Sequence, residues 1–453
     1  MTELGISTAI VYHLYGALAR KDEAEIASLM NLYRKAYHVF AVLVFAAGMA
    51  VLPFIHLFMK NNSYSLSYIR VLYAMWLVRT VLSYLLTYRK SLLIADQKEY
   101  IASITGLILN VVSYLAIILL VTWEQNYLLA LGIGTVTEVV LNIWISWYVE
   151  QKYPFLRQRR KEKSTSSLTK RIVRDLKSLF ISRISEKMLY CTDNLIISGF
   201  IGVGTVGRYA NYCMITQAIS NILTILANTI QPTVGDYFTE KNRQRNYEIL
   251  RQLTFGFFCI ASVVSVGLFS LITPFVRDIW LGPSYELGWG ITVFCIVVLL
   301  VRIMGLPLSL VMGVTGLFEK EKNVGASSAL LNLIVSLALV KPYGMAGVLL
   351  GTLLSYLLQI LYRYIIYFRD FLEMPGEALR YAQDIGEYLA VIAGEVLLMQ
   401  KIVPLIYGAG GMLLFCVCFL LCIAIPLLLD LVIFGRGWRL QSIVTMVKGM
   451  RKA

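Results

Sequence analysis

Charge is scarce in this sequence. Only 15% of the 453 residues are Asp, Glu, Lys or Arg and 58% are hydrophobic, whereas a soluble domain carries roughly 25% charged residues. An ordinary water-soluble enzyme is excluded. Histidine is scarcer still, and His13, His38 and His56 form no catalytic constellation. No glycine-rich phosphate loop is present, so ATP is not bound by a P-loop. The seven cysteines, Cys191, Cys213, Cys259, Cys295, Cys416, Cys418 and Cys422, lie inside apolar runs without ligand spacing to a histidine. They read as small hydrophobes, and neither a disulfide nor a metal site is expected. The first residues lack a basic segment leading into a short apolar core and cleavage site, so they do not read as a signal peptide.

Acids are the minority charge, 27 against 41 basic residues, for a net charge of +14. A surplus of that size suits nucleic acid, but its placement does not, because the basic residues cluster between apolar runs. Those runs reach about 20 residues, enough to cross a hydrocarbon core of roughly 30 Å as helices. Barrel strands would instead alternate polar and apolar residues over segments of about 10. The candidate spans are 4–18, 37–58, 69–94, 101–122, 125–148, 178–202, 206–233, 249–277, 289–315, 322–340, 343–367, 385–407 and 411–434.

Alternate loops differ sharply in Lys and Arg. One set carries 31 of them, including Arg20, Lys21, Arg89, Lys98, the cluster from Lys152 to Lys177, Arg243, Arg251, Arg369 and the tail from Arg436. The other set carries six: Lys60, Arg70, Arg208, Arg277, Lys341 and Lys401. The first set is expected in the cytoplasm, with the C-terminus. This orientation leaves residue 1 outside, on a first span that is too short.

An internal repeat accounts for both oddities. A shift of 222 carries Lys98 and Glu99 onto Lys320 and Glu321, Leu109 and Asn110 onto Leu331 and Asn332, and Leu115 and Ala116 onto Leu337 and Ala338. Run backwards, it places residues 4–18 at the tail of a second helix, so the chain is expected to be N-terminally incomplete and to lack the first helix of its first lobe. The expected fold is an all-α polytopic membrane protein of two six-helix lobes plus two extra C-terminal helices. The boundaries are an N-terminal lobe over 1–148 with about five visible spans, a basic cytoplasmic linker over 149–177, a C-terminal lobe over 178–367, two additional spans within 385–434, and a basic cytoplasmic tail over 435–453. Repeats of this kind commonly rock about a central cavity.

Charges within spans are costly and mark candidate sites. In 178–202, Glu186, Tyr190 and Asp193 share one helical face, with Arg183, Lys187 and Asn194 on the neighbouring stripe. This polar face suits either a cavity wall or ion pairing between helices. Arg79 and Arg302 sit at nearly equivalent depth in the two halves, with no acid in their own runs. Gly305 and Pro307 are positioned to kink the helix of Arg302 and open its backbone. A cavity holding Arg79, Arg183, Lys187 and Arg302 is cationic and suits an anion, since Arg matches phosphate oxygens bidentately. Glu138 is the clear acid of the first half's last span, fit to bind a coupling proton or Na⁺ or to pair with an Arg. Gly344, Gly347 and Gly351 lie at helix-packing spacing.

Three segments carry a family resemblance. They are Glu3-Leu4-Gly5-Ile6-Ser7-Thr8-Ala9-Ile10-Val11-Tyr12 with Leu14-Tyr15 and Lys21-Asp22; Ala95-Asp96-Gln97-Lys98 with Tyr100; and Asp193-Asn194 with Gly202, Val206-Gly207 and Tyr209. Together the chain resembles Wzx-type polysaccharide flippases of the multidrug/oligosaccharidyl-lipid/polysaccharide exporter superfamily. The resemblance implies 12 to 14 helices in two lobes in a bacterial plasma membrane. It further implies transport of an undecaprenyl-pyrophosphate-linked oligosaccharide for surface polysaccharide synthesis. No cofactor is implied beyond a coupling ion, H⁺ or Na⁺. The implied partners are the lipid-linked substrate, the bilayer and a polysaccharide polymerase or glycosyltransferases of the same pathway, with no nucleic acid. The competing readings are a peptidoglycan-precursor flippase, a cation-coupled multidrug antiporter of the same fold, and a membrane enzyme. The last lacks the large external loop or the His and acid pair that it requires.

Overall fold

A computed structural model describes residues 14, 17, 18, 20–60, 64–124, 126–157, 191–238, 242–315, 317–408 and 410–435. Among them there are helices and turns and no strand. Eleven helices are long and apolar enough to cross a membrane, and they correspond to eleven of the thirteen expected spans. The other two, 4–18 and most of 178–202, lie outside the described residues. The chain divides into two compact units, 1–184 and 185–453.

The first unit is built from α1 (Glu23–Val51), α2 (Leu66–Thr87), α3 (Lys90–Ala95), α4 (Glu99–Glu124) and α5 (Tyr127–Lys152). Side-chain oxygens set three of the helix starts. Asp22 caps α1 through the amide of Glu25, Ser65 caps α2 through Tyr68, and Asn126 caps α5 through Leu128 and Leu129. Each satisfies a backbone donor that the helix leaves orphaned. The expected single span 69–94 is two helices, because the chain breaks after Thr87 and restarts at Lys90. Hydropathy misses the break because Leu92, Leu93 and Ala95 after it are apolar. They are also buried, in a core with Tyr33, Tyr37, Ile145 and Val149. On α4 the side chains of Leu107, Ile108, Val111, Val112, Leu115, Ile118 and Leu119 are all exposed. An apolar face of that width belongs against lipid acyl chains rather than water.

The second unit contains α6 (described over 191–200), α7 (Val203–Tyr237), α8 (Arg243–Pro274, continuing as a wide π turn to Trp280), α9 (Trp289–Val314), α10 (Phe318–Tyr343), α11 (Met345–Ile366, continuing as a π turn to Leu372), α12 (Pro375–Tyr407) and α13 (Met412–Phe434). At its centre α8 packs against α9, α12 and α13, while α11 packs against α9 and α10. The apolar core runs through Phe255, Phe258, Ile296, Val311, Val348, Tyr388 and Met399.

The α10–α11 contact is the tightest. A single residue, Gly344 at φ +58, turns the chain between them, a conformation that costs glycine little. A Cβ at Gly347 would collide with the Leu339 backbone, and one at Gly351 with Ser336 and the Asn332 carbonyl. The glycines therefore let two helices meet backbone to backbone. Gly305 makes room between α9 and α11 for a side chain instead, since a Cβ there would lie 2.9 Å from Ile360 Cγ1. Gly305 and Pro307 are buried, and α9 continues through both. Gly305 serves close packing there.

Candidate functional site

In the first unit, polar side chains join α2 to α5 along parallel axes. Arg79 lies eight residues before the end of α2 at Thr87, about 12 Å along its axis at 1.5 Å per residue. Its Nε donates to Glu138 Oε2 at 2.7 Å, and its guanidinium faces the Trp76 ring at 5.1 Å. Gly134, one turn before Glu138, leaves room for the guanidinium, since a Cβ there would sit 3.1 Å from Nη1. The Thr87 hydroxyl donates to the buried Asn142 side chain at 3.3 Å, and Arg89 pairs with Glu150 at 2.5 Å. The absence of an acid in the run of Arg79 is thus made good by a residue 59 positions away, and the pair is neutral. Of the two roles open to Glu138, pairing with an Arg is the one seen.

Where this unit meets its basic loops, Asp96 accepts hydrogen bonds from Lys98 and from the Tyr153 hydroxyl. The chain between Asp96 and Lys98 passes through Gln97 at φ +56. Burial alone would raise the Asp96 carboxyl, but the bonds from Lys98 and Tyr153, with the charges of Lys98 and Lys152, outweigh it and hold it below the usual range. Burial, and then the same carboxylate, push the Tyr153 phenol up. The motif residue Asp96 therefore fastens the end of α5 to the loop before α4.

In the second unit Asp193 is 4% exposed. Its Oδ2 accepts from Thr352 Oγ1 at 2.6 Å and its Oδ1 from Asn332 Nδ2 at 3.4 Å, while Asn332 Nδ2 also reaches Thr352 Oγ1 at 2.9 Å. Three helices, α6, α10 and α11, thus meet on one carboxylate. Among the described residues no Lys or Arg pairs with it, and the buried Asn332 Oδ1 has no hydrogen-bond partner. An ionised carboxylate held this way is uncompensated, and the oxygens around it suit a small cation or a proton. Its neighbour Asn194 points elsewhere and is exposed. Arg302 is half-buried on α9, its guanidinium 5.4 Å from the centre of the Tyr356 ring on α11. Arg183, Glu186 and Lys187 lie outside the described residues.

Sequence reading passed over a second polar column, where α8 and α12 run side by side. Arg251 binds Asp384 with two bonds, 2.6 and 2.9 Å. Tyr381 and Thr254 meet beside them at 3.1 Å. Deeper in the bundle, Ser262 donates to Glu395 at 2.6 Å, and Asp430 of α13 lies within electrostatic reach of both. Acids inside the two C-terminal apolar runs were the available signal.

A family model described as "Polysaccharide biosynthesis protein" matches residues 1–238. No curated protein matches the chain. Among solved structures, the fold is similar to that of the lipid II flippase MurJ in an inward closed conformation, at 15% identity over 95% of this chain and 90% of that one, with a TM-score of 0.63. It is also similar to an outward-facing MATE-family multidrug transporter of the MOP superfamily, at 14% identity, 82% and 83% coverage and a TM-score of 0.52. The Vibrio cholerae MATE transporter VcmN in its bent form aligns at 13% identity, 83% and 85% coverage and a TM-score of 0.50.

Proposed function

We propose, for a chain that belongs to the polysaccharide biosynthesis protein family and carries the fold shared by a lipid flippase and MATE transporters, that it flips a lipid-diphosphate-linked oligosaccharide across the bacterial plasma membrane. The substrate is of the undecaprenyl-pyrophosphate type and moves from the cytoplasmic to the outer leaflet by alternating access. The family match over the first half of the chain is the observation that carries this reading. The physical task agrees with it: a bulky polar head has to cross a layer in which unsolvated polar groups cost several kcal/mol each, roughly, while its lipid tail stays in that layer.

Arg79, Arg183, Lys187 and Arg302 are the groups proposed to meet the diphosphate, by charge-assisted hydrogen bonds. Because Arg79 is held by Glu138, it binds substrate by exchange, the diphosphate replacing one carboxylate with another anion. The carboxylate of Asp193, with Asn332 Oδ1 and Thr352 Oγ1, is proposed as the place where a coupling H⁺ or Na⁺ binds. The one-sided basic loops support a cytoplasmic C-terminus. Enzymes that build or polymerise the glycan are the proposed pathway partners.

The test is mass spectrometry of lipid-linked intermediates in a strain lacking the gene. The expected result is accumulation of an undecaprenyl-diphosphate oligosaccharide, cleared by the wild-type gene and not by the variants Arg302→Ala or Asp193→Asn, both still present in the membrane. Accumulation of a peptidoglycan precursor instead would reassign the substrate. Unchanged lipid pools would end the reading.

A further inference from the structure

The same two helices that hold Arg251 against Asp384 hold Ser262 against Glu395, each pair 133 residues apart in sequence. Eleven residues along α8 separate the two levels, about 16 Å. Between them lies an aromatic layer of Phe255, Phe258, Tyr388 and Phe434, with Phe258 stacked on Tyr388 at 4.4 Å and Phe434 edge-on to both phenylalanines. That layer keeps the Arg251 guanidinium away from the deeper acids.

Those acids are Glu395, 3% exposed, and Asp430, 4% exposed, with Ser262 fully buried beside them. Neither forms an ion pair among the described residues. Glu395 Oε1 and both carboxyl oxygens of Asp430 have no hydrogen-bond partner. Two ionised carboxylates in this position would be unsolvated and mutually repelling, a combination that a protein interior does not hold. Something positive has to be bound there. A metal ion such as Na⁺ wants about six oxygen ligands, and among the described residues the only hydroxyl bonded to either acid is that of Ser262. A proton needs only the two carboxyls.

We propose that Glu395, Asp430 and Ser262 form a proton-binding site in the C-terminal helix pair, one proton being shared between the two carboxyls. The O–H forms on one carboxyl and donates to the other. The Ser262 hydroxyl donates to Glu395 Oε2, and water supplies and takes back the proton. A cavity of about 360 Å³ lies beyond the site on the same two helices, on the side from which water would come. It is lined by Ser270, Thr273, Arg277, Glu286 and Gln400 at the far end of α8 and α12. Gln400 is five residues beyond Glu395 on α12, about 7 Å along the axis. This cavity lies toward the ends of α8 and α12 that are poor in Lys and Arg. Among the described residues, the other titratable groups beside the pair are Cys259 on α8 and Tyr388, two turns before Glu395 on α12. Neither of them carries positive charge to replace the proton.

The site does not rest on the transport reading, so its test uses purified full-length protein in detergent. Infrared difference spectra recorded across a pH titration read protonated carboxyls directly. The wild type is expected to keep a protonated-carboxyl absorption at neutral pH. Glu395→Gln and Asp430→Asn should each alter it, and the double variant should lose it, while Asp193→Asn leaves that component in place. Ser262→Ala, which keeps both acids and the fold, should shift the band by removing one hydrogen bond. A band unchanged in both single amide variants would overturn the proposal. So would loss of the wild-type band on adding Na⁺ at constant pH, which would make the ligand a metal cation.

Discussion

In the α2–α5 contact of the first unit each acid meets a base, Glu138 with Arg79 and Glu150 with Arg89. In the interior of the second unit, Asp193, Glu395 and Asp430 are buried without one among the described residues. The difference separates two uses of charge in a membrane protein. A matched pair has spent its electrostatics on joining helices, and only an incoming ion of the right sign can reopen it. An unmatched buried carboxylate is chemically incomplete and binds whatever positive species reaches it. The second unit contains both kinds, because Arg251–Asp384 is as well matched as anything in the first.

The largest effect is expected where a matched pair in the second unit is broken. Arg251→Ala strands Asp384 in the α8–α12 contact and should cost about 3–5 kcal/mol, seen as a fall in thermal midpoint and in the amount of protein recovered from membranes. Asp384→Asn in the same background should recover much of it. If Arg251→Ala melts like the wild type, the distinction between matched and unmatched charge fails.

A smaller effect is expected in the first unit. A double-mutant cycle of Arg79→Ala and Glu138→Ala should give a coupling of about 1–2 kcal/mol, since the pair touches but is not fully buried. Reversing the charges, Arg79→Glu with Glu138→Arg, should keep the stability and lose glycan export. Export that survives reversal would make the pair a joint only.

The smallest effect is expected at the loop, where Tyr153→Phe should cost about 1 kcal/mol, the worth of one hydrogen bond. The Asp96 carboxyl is held below its ordinary value of about 3.9, so its contribution is complete above that value. The contribution is lost only as pH falls further, through the lowered one. Protection of the amides at 153 and 155–157, relative to their intrinsic exchange rate at each pH, should therefore be high near neutrality and fall below about pH 4 in the wild type. In Tyr153→Phe it should be reduced at both.

Much of this fold was legible in the sequence because bilayer thickness imposes a length on every span and the basic loops mark one side. The packing glycines Gly347 and Gly351 were legible for the same kind of reason, as a local spacing. The break at Tyr88 and Arg89 was not, since an apolar side chain reads alike whether it faces lipid or a turn's own core, as Leu92 and Leu93 do. Partners distant in sequence were equally hidden. Nothing near Arg79 announces Glu138, and nothing near Asp193 announces Thr352, 159 residues later. The acids at 395 and 430 stood in plain view as charges inside apolar runs. What makes them a site is that α12 and α13 bring them to one serine of α8, and that is a property of packing.

The one-residue turn at Gly344 has a mechanical meaning. With backbones in contact along Gly347 and Gly351, α10 and α11 cannot slide past each other without forcing atoms together, so the two helices have few independent degrees of freedom. Asn332 and Thr352 then travel as a fixed jaw, and the Asp193 site loosens only along the line where α6 meets that jaw.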